Sequence, residues 1–363
     1  MRAMTQSFLI IGGGIAGISA AARLSHLGPV TLLEAEATLA HHASSRSAAL
    51  FEPRYGLPPV VALSLASADY LSTANGGVLS PRGLMVIARP EQRALFDEDI
   101  AHFGLTELPL AEARAMVPIL NRETVAFAAH SDQAWDIDTD RLIQNFAREA
   151  RGNGAQILTA APVTAITRTA DGWTVTTPKG NHSAQNLVNA AGPWADVVAQ
   201  MAGLPPIGVT PLRRSMARLP APGGHELTHW PMIIAAGEAW YAKPDAGALI
   251  VSPSEEDPAE PHDAWPDDMV LAEGLARYEA MVSEPVTRLL ASWAGLRTFA
   301  PDRVLVIGPD PADPQFHWTA GQGGYGFQTA PAASALLADL AAGRPPALDA
   351  ATVAALSPTR FRP

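Results

Sequence analysis

Phe8-Leu9-Ile10-Ile11-Gly12-Gly13-Gly14-Ile15-Ala16-Gly17 decides the fold of this chain. Four apolar residues break into glycines, an alanine-rich stretch follows, and Val30-Thr31-Leu32-Leu33 ends on Glu34. The order reads as strand, tight turn, helix, second strand and acid. Gly12, Gly14 and Gly17 keep the G-x-G-x-x-G spacing: the first permits the turn, the second lets backbone approach a pyrophosphate, and the third lets helix and strand pack closely. The helix start offers free N–H groups and partial positive charge to phosphates. Glu34, at the tip of the second strand, is placed to accept hydrogen bonds from ribose hydroxyls. The segment therefore predicts a dinucleotide site. A plain βα turn and a secretory signal starting at Arg2 are the competing readings. Glycines inside the apolar run and an acid-tipped strand directly after it argue against the signal.

The chain has 363 residues, enough for roughly two domains. Hydrophobic residues make up 48% and charged residues 17%, a composition that builds a buried core rather than a disordered chain. With no cysteine, the chain has no disulfide, thiolate metal site, catalytic thiol or cysteinyl flavin bond. Cysteine usage leaves the compartment open, and a cytoplasmic location is the expectation. A net charge of −11 disfavours nucleic acid as a partner. No apolar run of about 18 residues stands free of the glycine motif, so no membrane span is expected. No metal site is expected.

Further along, His41-His42-Ala43-Ser44-Ser45-Arg46-Ser47-Ala48-Ala49 combines small and polar residues that suit close approach of a ligand, or a capped helix start. A helix is predicted around 60–75, a strand over Gly83–Ala88, and helical spacing from Pro90 to about Ala115. Asp136-Ile137-Asp138-Thr139 reads as an N-cap before a helix that Gly152-Asn153-Gly154 stops, with a strand at Ala155–Leu158. Strands are predicted at Val163–Thr167, Trp173–Thr177 and Leu187–Asn189, the last running into Ala190-Ala191-Gly192-Pro193-Trp194. Residues 208–300 read as β-rich and proline-broken, with strands at Met216–Leu219 and Ala248–Val251. Late strands at Val304–Gly308 and Phe316–Ala320 lead to Gly321-Gln322-Gly323-Gly324-Tyr325-Gly326, a glycine-rich loop opening the last long helix. Cofactor-type turns thus lie at the start, middle and end of the chain. The expected class is α/β, a discontinuous Rossmann-like FAD-binding domain with a β-sheet-rich substrate domain. The expected segments are 1–75, 139–207 and 297–363 for the first, and 76–138 and 208–296 for the second.

The order of Gly12–Gly17 with Glu34, Ser44–Ala49, Asn189-Ala190-Ala191-Gly192, Trp293-Ala294-Gly295-Leu296-Arg297 and Gly321–Gly326 resembles the FAD-dependent D-amino acid oxidase/dehydrogenase family. Arg213-Arg214-Ser215, Tyr241–Gly247 and Leu356-Ser357-Pro358 look closest to its D-arginine dehydrogenase-like branch. The resemblance implies oxidative deamination of a D-amino acid by hydride transfer from Cα to flavin N5. The imino acid product hydrolyses to a 2-oxo acid and ammonia. It implies a substrate carboxylate held by Arg214 and Arg297, with Tyr241 and Tyr55 beside it. Arg213 competes with Arg214, since neighbours in a strand face opposite ways. The implied FAD contacts are Gly12, Gly14, Ile15, Ala16, Gly17, Glu34, Ala35, Ser44, Ser45, Arg46, Ser47, Ala48, Val163, Ala190, Gly192, Trp194, Arg297, Gly323, Gly324, Tyr325, Gly326, Phe327 and Gln328. FAD is expected to be non-covalent, with His41 and His42 the place where a covalent bond is open.

The chain departs from that branch at the substrate pocket, expected at Leu50, Leu84, Glu52 and Gly324. Leu84 follows Ser80-Pro81-Arg82-Gly83 where the branch has an acid, and Leu50 stands where it has a histidine. Leucine cannot pair with a cation, and an unpaired buried charge is costly. Neutral, mostly apolar substrates are therefore expected, with Glu52 as a replacement acid. The electron acceptor, oxygen or a quinone or carrier, is left open. The competing functions are a glycine/sarcosine-type secondary-amine oxidase, a flavin-binding subunit without turnover, and a nicotinamide enzyme.

Overall fold

The strand Phe8–Ile11 has all four side chains buried, and they divide between two cores. Phe8 and Ile10 join one cluster with Leu32 and Val188; Leu9 and Ile11 join another with Leu33 and Leu187. Period-2 alternation sends successive side chains to opposite faces, so a strand apolar at every position is covered on both sides. The computed structural model describes residues 6–362. In it this strand lies inside a six-stranded sheet in the order Val306–Pro309, Phe316–Ala320, Asn186–Asn189, Phe8–Ile11, Val30–Leu33, Gln156–Leu158. All neighbours are parallel except the edge pair Val306–Pro309 and Phe316–Ala320.

One face of the sheet carries the helices Ile15–Leu24, Thr139–Gly152 and Gly326–Ala342, packed against one another with Pro58–Thr73. The other face carries an antiparallel meander, Ala165–Thr169, Gly172–Thr177 and Gly180–Ala184, whose Trp173 and Val175 are buried beneath it. Thr139–Gly152 begins as its sequence dictates, with the Asp138 carboxylate accepting the N–H of Arg141 at 2.9 Å.

A nine-stranded sheet forms the second layer. Its longest ladder pairs Thr210–Pro220 with Ala291–Phe299, antiparallel, over nine residue pairs. Ala248–Ser252, Tyr241–Asp245, Met232–Ala235, Leu84–Ala88 and Phe127–Ser131 extend it. Its outer face buries Met85, Ile233 and Val251 in one cluster with Leu271 and Tyr278 of the helix Asp268–Glu279; its inner face carries Leu84, Met216, Ile234 and Tyr241. A small sheet of Leu50–Phe51, Trp135–Ile137 and Leu79–Pro81 lies beside the inner face. Asp136 on it pairs with Arg82 at 2.6 Å and with Lys243 of the wide sheet at 2.9 Å.

Four local expectations are corrected. Asp136 sits in a strand and only Asp138 caps the helix. The region 208–300 contains the helix Asp268–Glu279, capped by Asp267. The run from Pro90 is divided into the helices Arg93–Phe103 and Leu110–Met116, because Gly104 turns left-handed at φ 65° and ends the first. The strand expected at Val163 starts at Ala165, which leaves Val163 in a loop.

Candidate functional site

The glycine turn is built by close contacts. A Cβ at Gly17 would collide with the carbonyl oxygen of Gly12, and one at Gly12 with that of Ala190. Around Gly14 the one neighbour of such a Cβ is Ser44 Oγ, a tight 3.2 Å away. Gly14 caps the helix Ile15–Leu24 without a side-chain hydrogen bond. Ser44 Oγ accepts the N–H of Ile15 at 3.0 Å, and Glu34 accepts the N–H groups of Gly13 at 2.6 Å and Glu36 at 2.8 Å. Glu34 therefore holds the turn in shape from the tip of its strand while facing the cavity beside it.

That cavity is about 450 Å³. It runs from Glu34, Ala35 and Glu36, past Gly12–Ala16, to Arg214, Arg297 and Gly323–Gly324. Of the expected cofactor contacts, Gly12, Gly14, Ile15, Ala16, Glu34, Ala35, Ser44, Arg46, Ser47, Ala48, Val163, Ala190, Gly192, Trp194, Arg297, Gly323, Gly324, Gly326 and Phe327 line it. Gly17, Ser45, Tyr325 and Gln328 do not. Gly17 packs the turn, and Ser45 Oγ donates to the carbonyl of His41 at 2.8 Å. The Tyr325 ring meets Tyr55 at 5.1 Å, and Gln328 donates to Ser64 Oγ at 3.0 Å. Arg46 lines the cavity, yet its guanidinium donates to the carbonyls of Ala294 at 2.8 Å and Ala264 at 3.0 Å and pairs with Asp263. It ties the first layer to the second. His42 approaches Glu36 at 3.1 Å and Asp263 at 3.7 Å, so its ring nitrogens face carboxylates.

The far end of the cavity is set by the long ladder. Its register pairs Arg214 with Gly295 and Leu212 with Arg297, which makes Arg214 and Arg297 diagonal neighbours on one face, roughly 7–8 Å apart along the backbone. Arg213 faces the other way and pairs with Asp257 at 2.9 Å. Arg214 is 4% exposed. One of its nitrogens meets Glu256 at 3.2 Å, while Nε and Nη1 are buried without a partner. Burial, and then the Arg297 charge, hold the Arg214 pKa below its ordinary value. Burial also works against charge on Arg297, but the oxygens of Tyr55 and Tyr241 and the Glu238 carboxylate outweigh it and raise its pKa. Arg297 Nη1 lies 3.5 Å from the Tyr55 hydroxyl, and the Arg214 guanidinium lies 6.0 Å from the centre of the Tyr241 ring. Two guanidinium groups on one face, one with idle buried donors, fit a bidentate anion.

A smaller cavity of about 70 Å³ adjoins this end. Leu50, Leu84, Glu52, Tyr55, Tyr241, Arg297 and Gly324 line it, so all the residues expected at the substrate pocket meet there. Phe103, Met232, Ile234 and Glu238 line it too and were not expected. Met232 and Ile234 share the inner sheet face with Leu84, a register that one sequence does not reveal. Glu238 projects from a turn at φ 53°, where no pattern marks it.

The glycine turn with the helix start at Ile15, and a second helix start at Gly326 whose N-cap Tyr325 makes no side-chain hydrogen bond, lie on one cavity and fit a long dinucleotide with phosphates at one end and an anionic ring edge at the other. The comparisons agree. Residues 7–340 match the family model described as FAD dependent oxidoreductase, DAO. Dimethylglycine dehydrogenase, mitochondrial, from Homo sapiens is 32% identical over 54% of this chain, a match spanning 24% of that protein. N-methyl-L-tryptophan oxidase from Citrobacter koseri is 23% identical over 95% of this chain and 97% of its own length. Glycine oxidase from Geobacillus kaustophilus shares the fold with a TM-score of 0.82 at 24% identity, covering 98% of this chain and 99% of that one. FAD is the cofactor, and the chain belongs to the DAO family of FAD-dependent oxidoreductases.

Proposed function

We propose that the protein oxidises the C–N bond of an amino acid, with the carboxylate bound by Arg214 and Arg297 and a neutral, mostly apolar side chain in the small cavity. The observation that carries this is the diagonal guanidinium pair, in which Arg214 keeps buried Nε and Nη1 donors without a partner beside the Arg297 charge. Such a clamp fixes charge and orientation together, and fixed orientation can lower a barrier by several kcal/mol. FAD, when bound, supplies the redox chemistry by accepting a hydride. The chain supplies the rest: the clamp orients Cα, Tyr241 and Tyr55 close the carboxylate site, and Leu50, Leu84, Met232 and Ile234 exclude water around the side chain. The product imino acid hydrolyses to a 2-oxo acid and ammonia.

The D configuration rests on the resemblance of Arg213-Arg214-Ser215 and Tyr241–Gly247 to the D-arginine dehydrogenase-like branch. Leu84 in the small cavity supports apolar over basic side chains. We also assign the six-stranded sheet with its helices to FAD and the wide sheet to substrate. Non-covalent FAD is supported by His42, whose ring nitrogens face Glu36 and Asp263; acid precipitation then releases the yellow colour into solution.

A secondary-amine substrate is the second reading, since relatives are named for dimethylglycine and N-methyl-L-tryptophan. Anaerobic mixing with D-leucine, L-leucine, D-arginine, glycine and sarcosine separates the two. The expected result is bleaching of the flavin fastest with D-leucine. Preference for sarcosine supports the second reading, and preference for D-arginine overturns the apolar assignment.

A further inference from the structure

At neutral pH an amino acid carries its nitrogen as ammonium. Without a lone pair on that nitrogen, no hydride can leave the neighbouring carbon, so a base must take the proton first. Arginine cannot do this. Burial raises the pKa of Tyr55 and keeps its phenol protonated. The carboxylates on the small cavity are Glu52 and Glu238.

Glu52 is 5% exposed and directly follows the strand Leu50–Phe51. Its own N–H donates to Gln328 Oε1 at 3.3 Å, and its Oε1 accepts the N–H of Arg54 at 2.9 Å. Among the described residues no donor reaches Oε2. The carboxylate is thus held from behind on a wall it shares with Arg297, Tyr55 and Tyr241. The amino group of a substrate clamped at Arg297 is separated from its carboxylate by a single carbon, which brings it to that wall. Glu238 is more open to solvent, on the short turn Ala236–Glu238.

We propose that Glu52 accepts the proton of the substrate ammonium and is a catalytic residue of this enzyme. One N–H bond breaks and its electron pair stays on nitrogen, while an O–H bond forms on the Glu52 carboxylate. When the Cα hydrogen leaves with its electron pair, the nitrogen pair closes the C=N bond, and Glu52 returns the proton to water. The charged and titratable groups that share its segment or its cavity are Arg54 and Tyr55, Glu238 on the turn Ala236–Glu238, Tyr241 on the wide sheet and Arg297 on the long ladder. Burial pushes the Glu52 carboxyl up to about 7, against the Arg54 N–H and the Arg54 charge. A base poised there works at neutral pH.

The proposal rests on the functional reading above, and one experiment separates their failures. Anaerobic flavin reduction by the preferred amino acid is followed across pH in the holoenzyme. In the wild type the rate climbs with pH and levels off near 7. In Glu52→Gln, which keeps an oxygen for the Arg54 N–H, that limb disappears and the rate at neutral pH falls roughly 100-fold. Glu52→Asp restores the limb. Perturbation of the flavin spectrum by benzoate, a carboxylate without an amine, is unchanged in Glu52→Gln, which shows an intact clamp. A limb near 7 that persists in Glu52→Gln, or that vanishes instead in Glu238→Gln, overturns the assignment. Failure of every amino acid to reduce the wild type overturns the functional reading and this one with it.

Discussion

Arg297 occupies the point where the two cavities meet, and its worth is that of a charge placed without a resident counter-ion. Arg214 has Glu256 at 3.2 Å; Arg297 has the Tyr55 hydroxyl at 3.5 Å and Tyr241 and Glu238 farther off. Bound carboxylate relieves both the burial of these groups and their mutual repulsion. Arg297→Leu is expected to keep FAD, because the glycine turn and Glu34 hold the other end of the cavity, and to lose about 3 kcal/mol of substrate binding, roughly 100-fold or more in kcat/KM. Kinetics beside the flavin absorbance of the purified variant check this. Activity within a few-fold of wild type would remove Arg297 from the site. Arg297→Lys is expected to recover little, since a point charge does not reproduce a planar fork. The resemblance singled out Arg214 and Arg297, while the residues alone left Arg213 competing with Arg214. Alternation says only that the two oppose each other; the ladder register, with Arg214 opposite Gly295, decides which one faces the cavity.

At the scale of elements, the glycine turn is the least tolerant piece. The third glycine touches no cavity; it lets the helix Ile15–Leu24 lie against the strand Phe8–Ile11. Gly17→Ala forces a methyl against the Gly12 carbonyl. The backbone must move by a distance that overpacked cores do not absorb, at a cost of about 3 kcal/mol or more. Expected outcomes are a lowered Tm and protein purified colourless; a yellow variant with an unchanged Tm would contradict the packing account. This element was readable because each glycine has a separate steric reason and the acid follows at a fixed offset. The helix Asp268–Glu279 was missed because prolines flank it and the surrounding strands dominate the pattern, although Asp267 is an ordinary N-cap whose carboxylate accepts the N–H groups of Met269 and Val270. The corner where Leu50, Leu84, Ile234 and Phe103 converge was legible only in part, since it joins four elements distant in sequence.

Across the whole molecule, the proposed site depends on the registration of the two layers. Arg46 binds carbonyls of Ala264 and Ala294, and Asp136 of the small sheet bridges Arg82 and Lys243. Lys243 is two residues from Tyr241 on the same strand face, so this ion cluster locates the wall carrying Leu50, Glu52 and Tyr55 against the wall carrying Tyr241. Asp136→Asn leaves two cations facing each other with little exposure; removing one partner of a buried ionic cluster costs about 3–5 kcal/mol. A lowered Tm with a raised KM and FAD still bound is expected; an unchanged KM would show that the cluster only stabilises the fold. The two-layer plan followed from cofactor turns recurring at the start, middle and end of the chain. The strand order of the wide sheet did not, because single strands carry no record of their partners.

The most direct measurement compares flavin reduction by an apolar D-amino acid with that by its primary amide under anaerobic conditions. The two share the amine, Cα hydrogen and side chain and differ in the group offered to Arg214 and Arg297. If the guanidinium pair holds a carboxylate, the acid bleaches the flavin and the amide does so at least 100-fold more slowly. Equal rates would show that the pair has another purpose and that substrate is oriented elsewhere.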